Sequence, residues 1–498
     1  MKRKKQNELK SKKSNLYALF ANIPIYIYLL PLPIAQNLLF RPHGFWEHIT
    51  SYSLSLLLFV LAGGLSAASY LTKRYSPLSD YAYIQRGFPI RTRFFIPYNR
   101  LQSVIIQTSP LMNLFSAVKI QLNTPATKAK KGDAVFYLSK ENAQQFVSEI
   151  YDDIGYISRH YKARNSKIFF MSAIWSNPVS GLLLISPFIR NAGKVVGDKL
   201  REELIQSFDL SAYLVYIGLP PTTAIIAYFL LFCYMVSVIT DFVRNANFSC
   251  TSYQNGLLIK RGTVRKTLFM TNQGKLNSIT ISQSLVMLPT RLYSVYIHTV
   301  GAGKAKGDKS LLIAAEKKET VKHLIVNFFK GLDLHFPYMM RPVHRALKSY
   351  VRLPFLLLIC DTALAIILQR LNLFGSLSFT FMLFSIPCLL VWSIFRIIAF
   401  YKTGISFNGK YVYVRSYRKL TFRATIIPVS KVQLCIVRRN PFQMLKHTCS
   451  VRVYIYGEKK RFVEVKHLND ADGEKLVNEI NRIIHLNLPL VKLSQTEI

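Results

Sequence analysis

The sequence predicts an α-helical membrane protein plus β: three transmembrane helical hairpins, each followed by an antiparallel β-sandwich with a C-terminal helix. Three observations predict it. The 498 residues are 50% hydrophobic and 18% charged, yet the formal net charge is +40, so apolar and basic residues must be segregated along the chain. The apolar residues gather in blocks long enough to cross a bilayer. The polar segments between those blocks repeat one another. The 33 Phe and 28 Tyr exclude a disordered chain. Six cysteines without a CxxC pair argue against a disulfide scaffold and give no zinc or redox motif.

In chain order, a basic tail (1–14) leads into hairpin 15–71, with spans expected near 16–40 and 51–71. About 20 apolar residues cross the roughly 30 Å of hydrocarbon. The first span contains Pro24, Pro31 and Pro33, is too long for a cleaved signal peptide and lacks a small-residue cleavage pattern. Hairpin 168–241 has spans near 168–189 and 212–240, joined by an outer segment, 190–211. There Val196, Leu200, Leu204 and Phe208 share a helical stripe suited to the outer membrane surface, to an external peptide, or to packing on the span ends. Hairpin 353–400 has spans near 353–369 and 373–400. Lys and Arg number 7 in the tail and 15, 18 and 18 in segments 72–167, 242–352 and 401–498, against 1, 4 and 1 in the opposite connections. The positive-inside rule therefore places both termini and all three large segments in the cytoplasm.

Each large segment reads as short β-type runs followed by one amphipathic helix. Ile84-x-Arg86-Gly87 recurs as Ile259-x-Arg261-Gly262, where glycine suits the positive φ of a hairpin turn. Leu101-x-Ser103 recurs as Leu276-x-Ser278, and Ile96-Pro97-x-x-Arg100-Leu101-Gln102 as Ile427-Pro428-x-x-Lys431-Val432-Gln433. Alternating apolar residues fit half-buried antiparallel strands, and Val321, Leu324, Ile325 and Phe328 give the terminal helix one apolar stripe.

IQRGF and IPYNRLQSV in the first copy and IKRG in the second resemble the membrane-anchored bacterial pleckstrin-homology-like family, the YdbT-like class with domains of the DUF304 type. The resemblance covers nearly the whole chain in three tandem copies, PH-like domains 72–167, 242–352 and 401–498. It implies a seven-stranded sandwich with a C-terminal helix in a protein of the bacterial cytoplasmic membrane, and it does not imply an enzyme. It also implies, by kinship, a link to responses to membrane-active antimicrobial peptides and a smaller two-span PH-like membrane protein as partner. The third copy has Tyr417-Arg418 in place of the Arg-Gly turn.

Each copy carries a basic tip between its late strands: Lys128, Lys130 and Lys131; Lys304, Lys306 and Lys309; Lys459, Lys460 and Arg461. Under a bilayer such tips would meet anionic headgroups at about 1 kcal/mol per basic residue, or a partner protein; the alternative is that they keep the surface soluble and blunt sheet edges. Asp361 lies within a span, about 13 Å from its cytoplasmic end, where a carboxylate is costly. Arg396 on the returning helix is its expected partner, with a hydrogen bond from another neighbour as the alternative.

Other chemistry is not indicated. Gly301, Gly303 and Gly307 lack the GKS or GKT ending and following helix of a phosphate loop. His43, Glu47 and His48 do not share one helical face, so no metal site is expected, nor any cofactor. No catalytic constellation is nominated. Aromatic residues lie mostly in the spans, so the positive charge does not point to nucleic acid. The expected role is a non-enzymatic scaffold or subunit of a membrane complex, in envelope stress or in the response to membrane-active peptides. The alternative is a transporter or channel component using the six spans.

Overall fold

A computed structural model describes residues 12–21, 53–77, 81–87, 90–124, 134–150, 156–176, 221–299, 309–329, 332, 338–370, 376–418, 420–456 and 461–487. The first repeat contains β1 (Lys12–Lys13), α1 (Tyr17–Ala21), α2 (Ser53–Thr72), β2 (Arg74–Pro77), β3 (Tyr81–Arg86), β4 (Thr92–Pro97), β5 (Ser103–Thr108), α3 (Pro110–Leu114), β6 (Ala117–Asn123), β7 (Ala134–Ser139) and α4 (Lys140–Ile150). The second contains β8 (Ile157–Lys162), α5 (Asn165–Trp175), α6 (Pro221–Asn245), β9 (Ser249–Tyr253), β10 (Gly256–Arg261), β11 (Lys266–Asn272), β12 (Ser278–Ser284), β13 (Leu292–His298), β14 (Lys309–Lys317) and α7 (Lys318–Phe328). The third contains α8 (Leu347–Arg370), α9 (Ser376–Lys402), β15 (Gly404–Phe407), β16 (Tyr411–Arg418), β17 (Thr421–Pro428), β18 (Val432–Arg438), α10 (Pro441–Met444), β19 (Thr448–Ile455), β20 (Arg461–Asn469) and α11 (Asp470–Asn487).

Among the described residues the strands form four sheets, ordered β1-β2-β3-β4, β7-β6-β5-β11-β10-β9-β8, β14-β13-β12-β17-β16-β15 and β18-β19-β20. Each repeat thus supplies a first sheet and a second sheet. The expectation of three self-contained sandwiches misses one feature: the second sheet of one repeat continues into the first sheet of the next. β5 pairs antiparallel with β11, and β12 with β17. A strand edge left bare would expose a row of unpaired backbone groups, and the neighbouring repeat supplies the missing partners.

The chain divides into two compact units. One comprises Met1–His160, Cys250–Lys275 and Thr299–Asp308; the other comprises Tyr161–Ser249, Leu276–His298 and Lys309–Ile498. In the first unit, alternation buries Ala134, Phe136 and Leu138 of β7, and α4 lays Ala143 and Phe146 over them. In the second, Val412, Val414, Cys435, Val451 and Val453 meet Leu476, Val477 and Ile480 of α11. Each such fully buried large side chain stabilises by roughly 1.5–3 kcal/mol.

The expected turn glycines take left-handed backbone, Gly87 at φ 114° and Gly262 at φ 94°. In the third copy Arg418 pairs with Thr421, so the connection is shorter than in the first two. The end of the basic tail is not free, since Lys12 and Lys13 pair with Tyr75 and Arg74.

Two helices among the described residues are long and apolar enough to cross a membrane, His344–Leu368 and Ser385–Lys402; Leu57–Thr72 is apolar but shorter. The expected span near 51–71 coincides with α2, the 20 residues of Ser53–Thr72. The span near 212–240 coincides with much of α6, and that near 168–189 is described only through Ser176, at the end of α5. The span near 16–40 beyond Ala21, the outer segment 190–211 and the His43, Glu47, His48 group lie outside the described residues.

Candidate functional site

In the third repeat, β18, β19 and β20 present alternate side chains away from the core, and the start of α8 closes one side. The result is a cavity of about 480 Å³ lined by Ser349, Arg352, Arg438, Asn440, Phe442, Gln443, Lys446, Ser450, Arg452, Glu464, Lys466 and His467. Five permanent cations thus face a single carboxylate. Glu464 accepts from Arg452 Nε at 2.8 Å and lies 3.9 Å from Lys466 Nζ, which leaves Arg352, Arg438 and Lys446 without an acid among the lining side chains. Arg439, next along the chain, turns instead to α11, where it pairs with Asp470 at 2.7 Å and with Glu474.

Local structure holds this wall in place. Asn440 caps α10 in a reciprocal capping box with Gln443, whose Nε2 donates to Ser450 Oγ at 2.8 Å. Pro441 follows at the first helical position, where its missing N–H is not needed. His467 sits at φ 62°, and its carbonyl accepts from Val343 N at 3.0 Å. Its ring centroid is 5.9 Å from that of Tyr350. Burial holds its pKa below the usual histidine range, and Lys466, Lys446 and Arg396 add to the effect. A bound anion would act in the opposite sense. Such a site can hold a phosphate-sized anion by charge-assisted hydrogen bonds.

Phe442, which lines the cavity, and Leu445, in the same connection, are 75% and 82% exposed. The same connection in the first repeat exposes Leu111 and Leu114, and in the second Val286. All three connections end on a left-handed residue at the matching position, Ser116, Arg291 and His447.

The expected site residues fare differently. Lys128, Lys130, Lys131, Lys304, Lys306, Lys459 and Lys460 lie outside the described residues, and Lys309 opens β14. Arg461 opens β20, and its guanidinium lies 2.5 and 2.9 Å from the two ring nitrogens of His298, so it is engaged in a structural contact. The expected Asp361–Arg396 pair is not formed. Asp361 Oδ2 accepts from Ser385 Oγ at 2.6 Å. Arg396 Nε donates to the Tyr350 carbonyl at 2.8 Å and its Nη1 donates to the Tyr417 hydroxyl. That guanidinium also lies 5.6 and 4.9 Å from the Tyr350 and Tyr417 ring centroids. A hydroxyl facing the carboxylate and aromatic faces around the cation satisfy each charge separately. Sequence reading missed the cavity because its cations are scattered over Arg352 to Lys466, with no local motif. Among the described residues no group of three His, Cys, Asp or Glu is placed to hold a metal.

No solved structure matches the chain. The transmembrane protein YdbT (UPF0699) of Bacillus subtilis strain 168 is 23% identical over 336 residues, 61% of this chain and 66% of that relative's length. The profile of the bacterial PH domain family matches three times, at residues 27–154, 205–326 and 356–484. With three matches over most of its length, and a two-sheet repeat closed by a helix at each, the chain belongs to the bacterial PH domain family.

Proposed function

We propose that this is a non-enzymatic, multi-pass protein of the bacterial cytoplasmic membrane, with both termini cytoplasmic, whose third PH-like repeat binds the phosphate of an anionic lipid headgroup. The observation that carries this reading is the basic cavity at the start of α8. Arg352 and Ser349 belong to a helix apolar enough to cross a membrane, and they line the same cavity as Arg438, Lys446 and Lys466. In this reading the cavity lies where the apolar helix leaves the bilayer and headgroup phosphates begin. The exposed Phe442 and Leu445, on the connection between β18 and β19, suit insertion among acyl chains, each stabilising by roughly 1.5–3 kcal/mol when buried.

In this reading the protein is a membrane-anchored scaffold. Three repeats under the bilayer raise the effective concentration of whatever they hold, consistent with a role beside a smaller PH-like membrane protein in envelope stress or peptide response. The separate partners of Asp361 and Arg396 favour structural roles for both over a transport relay. The test is native mass spectrometry of the full chain in nanodiscs of mixed phosphatidylglycerol and phosphatidylethanolamine. The variant Arg438→Gln/Lys446→Gln/Lys466→Gln is expected to lose retained phosphatidylglycerol about 100-fold, at roughly 1 kcal/mol per cation. Equal retention by variant and parent overturns the reading.

A further inference from the structure

Each repeat ends its first sheet on one strand and opens its second sheet on another. The strands that end first sheets are β4, β11 and β17, each followed by a 3₁₀ turn, at Tyr98–Arg100, Gln273–Lys275 and Val429–Lys431. Those that open second sheets are β5, β12 and β18. Two junctions join the two kinds. In one, Met270 of β11 lies opposite Val104 of β5; in the other, Ile426 of β17 lies opposite Ile279 of β12. Counted from the end of the preceding first sheet (Pro97, Asn272 or Pro428), Val104 and Ile279 occupy the same place in their repeats, as do Met270 and Ile426. The two junctions therefore share one register, although different sequences build them.

One strand of each kind is left over, β4 and β18. The β18 end is capped. α11 has 18 residues where α4 and α7 have 11. Its Asn481 Nδ2 donates to the Cys435 carbonyl at 3.0 Å, at the position matching Val104 and Ile279. Ile483 and Ile484 in the added turns pack on the third-repeat core. A terminal repeat closed by its own helix is how a repeat array ends.

The β4 end has no such cap among the described residues, where β4 is the last strand of its sheet. Phe95 occupies the position of Met270 and Ile426. Ile426 is 1% exposed at its junction, whereas Phe95 is 60% exposed, its ring 5.7 and 5.2 Å from those of Tyr81 and Tyr83.

We propose that β4 is a docking edge that accepts the first strand of the second sheet of a PH-like domain on another polypeptide. The bound strand takes the register of the internal junctions, with its counterpart of Val104 opposite Phe95. Every strand that fills this kind of edge within the chain is of that type, which identifies the occupant by its chemistry. A second copy of this chain is not the donor, because its β5 and β12 are already paired and its β18 is held by α11. Strand addition supplies backbone hydrogen bonds and the apolar pair opposite Phe95 supplies selectivity. The inference does not rest on the headgroup cavity, which lies in a different repeat.

The test places photoreactive benzoylphenylalanine at Phe95, and separately at Arg93, in the full chain in its native membrane, with Tyr156 as a control position. Adducts are sequenced to the residue. The expected result is an adduct at least tenfold above control, mapping to the first second-sheet strand of a PH-like domain in another protein. It should fall to control level when Phe95→Lys is combined with the probe at Arg93. Adducts only with lipid, with a second copy of this chain, with a protein lacking such a domain, or at control level would each overturn the proposal. Two probe positions keep the test decisive if one substitution disturbs folding.

Discussion

His467 and Gly473 carry the sharpest single-residue expectations. Burial and the neighbouring cations hold the His467 pKa below its ordinary value of about 6.5. Above that pH the ring is neutral in both folded and unfolded chains, so it costs nothing. As pH falls below about 6.5 the unfolded chain takes up the proton first, and stability falls. Thermal unfolding in detergent should therefore lose midpoint between pH 7.5 and 5.5, and His467→Gln should flatten that loss. Anion binding has the opposite slope: phosphatidylglycerol retention should strengthen as pH falls, because the bound phosphate draws the proton onto His467. At Gly473 a Cβ would run into the buried Cys449 Sγ. Gly473→Ala gains up to about 1 kcal/mol of helix propensity but forces this contact apart at about 1–3 kcal/mol, so net destabilisation in urea unfolding is expected.

The β3–β4 and β10–β11 hairpins depend on their glycines more than on their lengths. Gly87 takes φ 114°, and an added Cβ would clash with the Ile90 carbonyl. Gly87→Ala should cost about 1–3 kcal/mol and, by shifting β4, weaken any docking on that strand; circular dichroism melts and the Phe95 crosslink read the two effects separately. The third hairpin pairs Arg418 with Thr421 and carries no glycine between them. The short helix α10 sets the cavity rim through its capping box. Asn440→Ala should cost about 1 kcal/mol, and Phe442→Ser/Leu445→Ser should lower vesicle association with little change in stability, because both side chains are already exposed.

At the scale of the molecule, half-sheets are shared between successive repeats, so the repeats are not independent folding units. A substitution at one junction, such as Met270→Asp opposite Val104, should disturb both the β5–β7 and the β9–β11 ladders. Hydrogen exchange is expected to show protection lost on both sides of that junction, whereas loss confined to β9–β11 would contradict the shared sheet. The two ends of the array differ in the same terms: α11 closes the third repeat, and the first repeat ends on a strand bearing the exposed Phe95.

The sequence by itself determined the repeat, its strand and helix order, and the left-handed turn glycines. Periodicity of 2 or 3.6 and the conformational freedom of Gly87 and Gly262 are local properties, so neighbouring residues are enough to reveal them. It also marked residues 353–400 as a helical pair, because apolar length is additive along the chain. Tertiary structure alone decided which charges meet. Asp361 and Arg396 were legible as costly groups, but Ser385, Tyr350 and Tyr417 became their partners through helix rotation and packing that spacing does not encode. The cavity gathers Arg352, Arg438, Lys446 and Lys466 from a helix, two strands and a loop distant in sequence. The joining of half-sheets was hidden for the same reason: a strand's alternation specifies which face is buried, and leaves open which neighbour takes its edge.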